Sequence, residues 1–127
     1  MVIAERGEIL LRILIMAAGT YNLSIEQGSS WQLRLEVDAT AGDDLNITGY
    51  TFASKLAKSH YDENPVSMDI TIVNATAGVF KLELSPTQTA TLDAAIEYIY
   101  DVEMTSAAGV VTRLIQGRAT ISAGVTS

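Results

Sequence analysis

Few residues in this chain have the side-chain types that do chemistry, and their spacing decides what they can do. The 127 residues include one His and no Cys. His60 lies in Ser59-His60-Tyr61-Asp62-Glu63, a run that places a hydroxyl, an imidazole and two carboxylates close together in sequence. A Ser-His-Asp hydrolase carries its nucleophile on a sharp strand-to-helix elbow, and no Ser here has that context. His60, Asp62 and Glu63 are also metal-ligand types. A metal site needs three or four donors converging from separate elements, whereas these three are neighbours in one polar stretch. Asp43-Asp44 lacks the spacing of a calcium loop and suits an Asx-type turn. Asp101 and Glu103 could form the carboxylate pair of a glycosidase, but two positions apart on one strand they share a face instead of flanking a cleft. The glycines fall singly at turns, so no phosphate-cradling loop is present. The expectation is a protein with no catalytic residue, no metal site and no cofactor.

Composition narrows the class further. Without Cys there is no disulfide framework, thiolate zinc site or cysteine nucleophile. Lys plus Arg number 8 against 15 Asp plus Glu, for a formal net charge of -7, which argues against nucleic acid as a partner because phosphate binding needs a basic face. Hydrophobic residues make up 48% with only 2 Pro, as in a packed domain and unlike a disordered chain. The length suits one domain able to bury roughly two-thirds of its unfolded surface without a covalent staple.

The elements that must position these residues fall into two unlike segments, residues 1–16 and 17–127. Met1 to Met16 contains a nearly unbroken apolar run at Ile9, Leu10, Leu11, Ile13, Leu14 and Ile15, interrupted by Arg12. It is too short to span a membrane. As a signal peptide it has the wrong flank, since Glu5, Arg6 and Glu8 net negative where a positive region is expected, although Ala17-Ala18-Gly19 resembles a cleavage site. Two readings remain: an N-terminal helix or arm whose apolar residues dock on a partner subunit or on the domain itself, or a start site placed too early, with the native chain beginning near Met16.

From Tyr21 onward the period is two. Tyr21, Leu23 and Ile25 share a face; Trp31, Leu33, Leu35 and Val37 alternate with Gln32, Arg34, Glu36 and Asp38. Tyr50, Phe52 and Leu56 oppose Lys55; Met68, Ile70 and Ile72 alternate with Asp69 and Thr71; Phe80, Leu82 and Leu84 alternate with Lys81 and Glu83. Tyr98, Tyr100, Val102 and Met104 make the next inward face, leaving Asp101 and Glu103 outward. Val110 to Gln116 and then Arg118 to Ser122 read as closing strands, with Gly117 as a bulge or bend between them. Between these runs lie turn segments at Gly28-Ser29-Ser30, 41–44, 59–65, 74–78 and 106–109. Ser85-Pro86-Thr87-Gln88 has a capping residue followed by Pro at the first helical position and Gln at the third, so a short crossover helix is expected near residues 86–92.

The pattern predicts an all-β protein: an immunoglobulin-like antiparallel β-sandwich of seven to eight strands with one short crossover helix. Leu92 precedes Tyr98 by six residues at a strand corner, as in a tyrosine corner; the alternative is an ordinary strand aromatic. The Tyr residues and Trp31 fall mostly on inward faces, and Tyr61 in the polar loop is the aromatic that could face outward.

Several segments, in order, resemble a family of tailed-bacteriophage virion proteins. Tyr21-Asn22-Leu23-Ser24-Ile25-Glu26-Gln27-Gly28-Ser29-Ser30-Trp31 resembles its opening strand, Gln-Gly turn and aromatic. Leu45-Asn46-Ile47-Thr48-Gly49-Tyr50 resembles its Leu-Thr-Gly-Tyr step, and Leu84-Ser85-Pro86-Thr87-Gln88-Thr89-Ala90 its crossover. Tyr98-Ile99-Tyr100-Asp101-Val102-Glu103 and Val111-Thr112-Arg113-Leu114-Ile115-Gln116-Gly117-Arg118 resemble its last two strands. More distantly, the chain is similar to the immunoglobulin-like N-terminal domain of phage baseplate upper proteins. The resemblance runs from Thr20 to the C-terminus and leaves out the first sixteen residues. It implies a non-catalytic structural subunit of a tail, baseplate or fibre connection, present in the virion and assembled in the bacterial cytoplasm. Its implied partners are other virion subunits, itself included, with no nucleic acid, membrane or small-molecule substrate. A capsid decoration protein, or a host-surface or carbohydrate-binding sandwich, is the alternative.

Overall fold

The computed structural model describes residues 2–5, 8–14, 19–40 and 43–124. Two sheets face each other. The first follows the order β1 (Val2–Glu5), β2 (Glu8–Leu14), β5 (Trp31–Thr40), β10 (Val79–Leu84), β9 (Asp69–Asn74), with β6 (Asp43–Asp44) joined to β5. The second follows β3 (Gly19–Thr20), β12 (Val111–Ser122), β11 (Glu97–Thr105), β7 (Thr51–Ala57), β8 (Val66–Ser67), with β4 (Leu23–Glu26) along β12. The main strands β5, β9 and β10 occupy one sheet while β7, β11 and β12 occupy the other, and the opening strands β3 and β4 run parallel to the final one. This is the immunoglobulin-like strand distribution, with Greek-key crossings between sheets. The all-β sandwich expected from alternation is the fold, although short pieces raise the strand number beyond eight. Among the described residues no helix is long and apolar enough to cross a membrane.

The core follows from the alternation. Leu33, Leu35 and Val37 of β5 and Phe80, Leu82 and Leu84 of β10 point inward from one sheet. Tyr98, Tyr100, Val102 and Met104 of β11 answer from the other. Each fully buried side chain of this size contributes roughly 1.5–3 kcal/mol relative to exposure. Phe52 stacks on Phe80 across the interface with ring centroids 4.1 Å apart. The crossover helix α1 (Pro86–Ala90) forms with the expected capping box: the Gln88 N–H donates to the Ser85 Oγ at 3.1 Å, and the Ser85 N–H donates to the Gln88 side chain at 2.7 Å. It ends two residues earlier than expected because the Thr91 hydroxyl turns back to the Gln88 carbonyl at 2.7 Å.

Several expectations change. A helix was one reading of the first sixteen residues, but β1 and β2 are an antiparallel pair, and β2 runs parallel to β5. A short isolated helix is marginal in water, whereas the edge of β5 offers backbone partners to a run rich in β-favouring Ile. Asp43-Asp44 is a short strand paired with Asp38 and Thr40 and not a free turn. Residues 111–122 form one continuous strand. The register passes from Val102↔Ile115 to Glu103↔Arg113, so the extra residue is Leu114 and not Gly117, and for that reason the consecutive residues Leu114 and Ile115 are both buried. Finally, Ile72 is not inward: β9 is an edge strand, and its Ile72 and Val73 are 44% and 40% exposed. The expected fraying of Val125-Thr126-Ser127 lies outside the described residues.

Candidate functional site

The loop holding His60 is built by Asp62. Its two carboxylate oxygens accept the backbone N–H groups of Lys58 and Asn64, each at 2.9 Å. Those two bonds hold the Asp62 carboxyl below its usual range, the Lys58 bond first. Asp62 therefore organises the turn, and its oxygens are committed to backbone. His60 and Tyr61 are exposed on this loop, Tyr61 at 92%.

His60 and Asp62 border an open groove of about 660 Å³ on the outer face of the second sheet. Ile99, Ala57 and Pro65 supply apolar surface, and Lys55, Arg113 and Arg118 supply positive charge. The charges are largely matched across strands: Arg113 Nε lies 3.4 Å from Asp101, and Arg118 is 2.9 Å from Glu97. Asp101 thus answers a cation on the neighbouring strand, and its register partner on β7 is Lys55. This face is a ladder of paired charges suited to contact with a polar surface.

At the groove's end the opening segment is clamped to β12. The Tyr21 N–H donates to the Gln116 carbonyl at 3.0 Å, and the Arg118 N–H donates to the Asn22 side-chain oxygen at 3.1 Å. The buried Tyr100 hydroxyl donates to the Tyr21 carbonyl. Burial, with the nearby Tyr21 second, raises the Tyr100 phenol above the ordinary tyrosine range. A Cβ on Gly117 would collide with the Tyr21 carbonyl oxygen and would lie 2.9 Å from its carbon. Gly117 is therefore a point of close backbone approach.

Tyr98 and Leu92 meet at the corner where the chain enters β11. The Asp93 N–H donates to the Tyr98 hydroxyl at 2.8 Å, and Leu92 is 2% exposed. The Gln27 side-chain amide donates to the Leu92 carbonyl at 2.6 Å, tying this corner to the end of β4. The predicted docking residues Ile9, Leu10, Leu11, Ile13 and Leu14 lie on β2, where Leu10 to Leu14 pair with Arg34 to Asp38. Ile15 lies outside the described residues.

Sequence reasoning missed one constellation. Glu36 and Asp38 on β5 and Asp44 on β6 bring carboxylate oxygens within 4.8 Å of one another. Asp38, expected on a solvated face, is 5% exposed because β6 folds back along that end of β5, where the Leu45 N–H donates to the Val37 carbonyl at 2.9 Å. Glu36 and Asp38 stand two apart on one strand face, which the sequence shows; that Asp44 returns beside them depends on pairing, which it does not.

No protein-family model matches the chain, and no curated protein matches it in sequence. Among solved structures, the chain is similar to the titin M3 domain at 16% identity and a TM-score of 0.46, covering 84% of this chain and 93% of that one. It is also similar to the bradyzoite-specific antigen BSR4 of Toxoplasma gondii at 11% identity and a TM-score of 0.37, covering 97% of this chain and 50% of that one.

Proposed function

We propose that this protein is a non-catalytic structural subunit of a tailed-bacteriophage particle, a tail, baseplate or fibre-connecting element working through protein–protein contacts. The observation that carries the contact mechanism is the β9 edge. Among the described residues it ends its sheet and pairs only with β10, and it presents Ile72 and Val73 to solvent. Unpaired edges with exposed β-branched residues accept further strands. The ordered segments from Tyr21 to Arg118 supply the resemblance to virion proteins. Asp62 fits the non-catalytic reading, since both of its oxygens are held by backbone N–H groups and serve the turn. Other virion subunits and further copies of the chain are the partners in this reading, and the virion is its location.

Mass spectrometry of purified particles from the source of this sequence tests the proposal. A defined copy number per particle is the expected result. Particles that lack the chain while the cell lysate contains it overturn the proposal. The exposed Tyr61 favours a second reading as a host-surface carbohydrate module. A glycan-array signal abolished by Tyr61→Ala would select that reading over the purely structural one.

A further inference from the structure

Arg113 and Arg118 of β12 stand five residues apart, a separation that puts two side chains on opposite faces of a regular strand. The bulge at Leu114 changes this. Arg113 lies opposite Glu103 and Arg118 opposite Ile99, and both of those residues belong to the outward row of β11. The bulge buries Leu114 and Ile115 together and returns both guanidinium groups to the groove on the outer face of the second sheet. Lys55 enters the same groove from β7, where its register partner is Asp101, midway between Glu103 and Ile99.

The charge of this groove is opposite in sign to that of the chain. Three of the eight Lys and Arg residues line it, against two of the fifteen Asp and Glu, in a chain of net charge -7. The two carboxylates are already engaged: both Asp62 oxygens accept backbone N–H groups, and Asp101 lies beside Arg113. The cations keep capacity. Arg113 reaches Asp101 through Nε at 3.4 Å, and Arg118 reaches Glu97 through one terminal nitrogen at 2.9 Å, with side chains 53% and 63% exposed. Exposed pairs of this kind are weak, and a guanidinium has further donors to offer. Lys55 makes no ion pair among the described residues. Spacing then selects the occupant. Outward rows two residues apart on β11 are about 7 Å apart, so Arg113, Lys55 and Arg118 mark three levels across roughly 13 Å. An extended peptide repeats its same-face side chains at the same interval. A segment with Asp or Glu at i, i+2 and i+4 therefore presents one carboxylate at each level.

We propose that this groove binds an extended acidic segment of a protein partner, with alternate carboxylates taken by Arg113, Lys55 and Arg118. It lies on the sheet opposite the β9 edge, so the proposal rests neither on that edge nor on residence in a phage particle. The probe is a capped, fluorescein-labelled peptide of four Thr-Glu repeats, titrated with the full-length protein and followed by fluorescence anisotropy. The expected result is saturable binding that weakens as salt is raised. Arg113→Gln and Arg118→Gln should each lower the affinity about threefold, and the double variant about tenfold. A peptide of the same composition with its Glu residues consecutive should bind about threefold more weakly, because adjacent side chains point to opposite faces. NMR titration of the wild-type protein with the unlabelled peptide gives a readout that needs no variant: the amides of Lys55, Ile99, Arg113 and Arg118 should shift together. Four results overturn the proposal: no saturable binding to the wild-type protein, an affinity unchanged in the double variant, equal binding of the consecutive-Glu peptide, or tighter binding of polyglucuronate than of the alternating peptide.

Discussion

Substituting Gly117 by Ala tests the clamp between the opening segment and β12 most directly. The added methyl group would fall inside the Tyr21 carbonyl oxygen, 2.9 Å from its carbon and 3.1 Å from the Asn22 side-chain oxygen. Two of these three contacts are backbone atoms, which cannot rotate away, so the segment at Tyr21 and Asn22 must move. Moving it strains the 3.0 Å bond from Tyr21 to Gln116 and the 3.1 Å bond from Arg118 to Asn22. It also withdraws the acceptor of the buried Tyr100 hydroxyl. Overpacking at such a site costs about 1–3 kcal/mol, and an orphaned buried hydroxyl adds about 1–3 kcal/mol. The expected loss is therefore about 2–6 kcal/mol, a large share of the roughly 5–15 kcal/mol typical of a domain. Urea unfolding followed by circular dichroism measures it as a lower midpoint at unchanged slope. Tyr100→Phe alone removes one hydrogen bond and should cost about 1 kcal/mol. Combining the two should cost less than their sum, because the first change has already broken what the second removes. A Gly117→Ala protein within about 0.5 kcal/mol of wild type would show that the close approach is not there.

Tyr98→Phe deletes the acceptor of the Asp93 N–H and should destabilise the fold by about 1–2 kcal/mol in the same assay. Asp62 is depressed in the folded loop, so its contribution is present above the unfolded carboxylate value and is lost as pH falls through the lower folded value; NMR titration should place its midpoint below about 3.9, with the Lys58 and Asn64 amides moving together, and Asp62→Asn should remove that transition. Tyr100 is raised, so its contribution is complete below about pH 10 and is lost as pH rises further; Tyr100→Phe should flatten the alkaline limb of a stability-versus-pH curve. Replacing Ile72 and Val73 together by Lys should leave the unfolding midpoint within about 0.5 kcal/mol of wild type while abolishing association through β9, read by light scattering and by incorporation into particles.

Much of the fold is legible in the sequence because burial on two faces imposes a period of two. Leu33, Leu35 and Val37, or Tyr98, Tyr100 and Val102, announce their inner face through their neighbours. The capping box at Ser85 is equally local, since its partners lie within three residues. What escapes the sequence depends on pairing between distant strands. Alternation groups Ile70 with Ile72 but does not tell whether a second layer covers that face, and on β9 the cover stops short of Ile72. Asp38 alternates like a surface residue and is buried by a return segment whose position depends on the ladder with β6. Gly117 stands out as a glycine inside a strand, yet the reason for it, the Tyr21 carbonyl, comes from a segment almost a hundred residues earlier.

The two ends of the β1–β9 sheet are finished differently, and that asymmetry bears on where a partner strand could be added. At one end the β5 edge is occupied by a segment of this chain, in parallel register and with Arg12 opposite Glu36. At the other, β9 carries only a bulge at Val73, produced where the register passes from Asn74↔Val79 to Ile72↔Phe80. A bulge twists an edge and discourages long flat pairing, so a partner strand at β9 would be short and would rely on Ile72 and Val73 for contact. One end is therefore covered by the chain itself, and the other suits a short added strand. The paired charges of Arg113 with Asp101 and Arg118 with Glu97 would remain free to set orientation on the other sheet. A chain contacted on distinct surfaces can sit between unlike neighbours, whereas a single two-fold patch would close an assembly at a dimer.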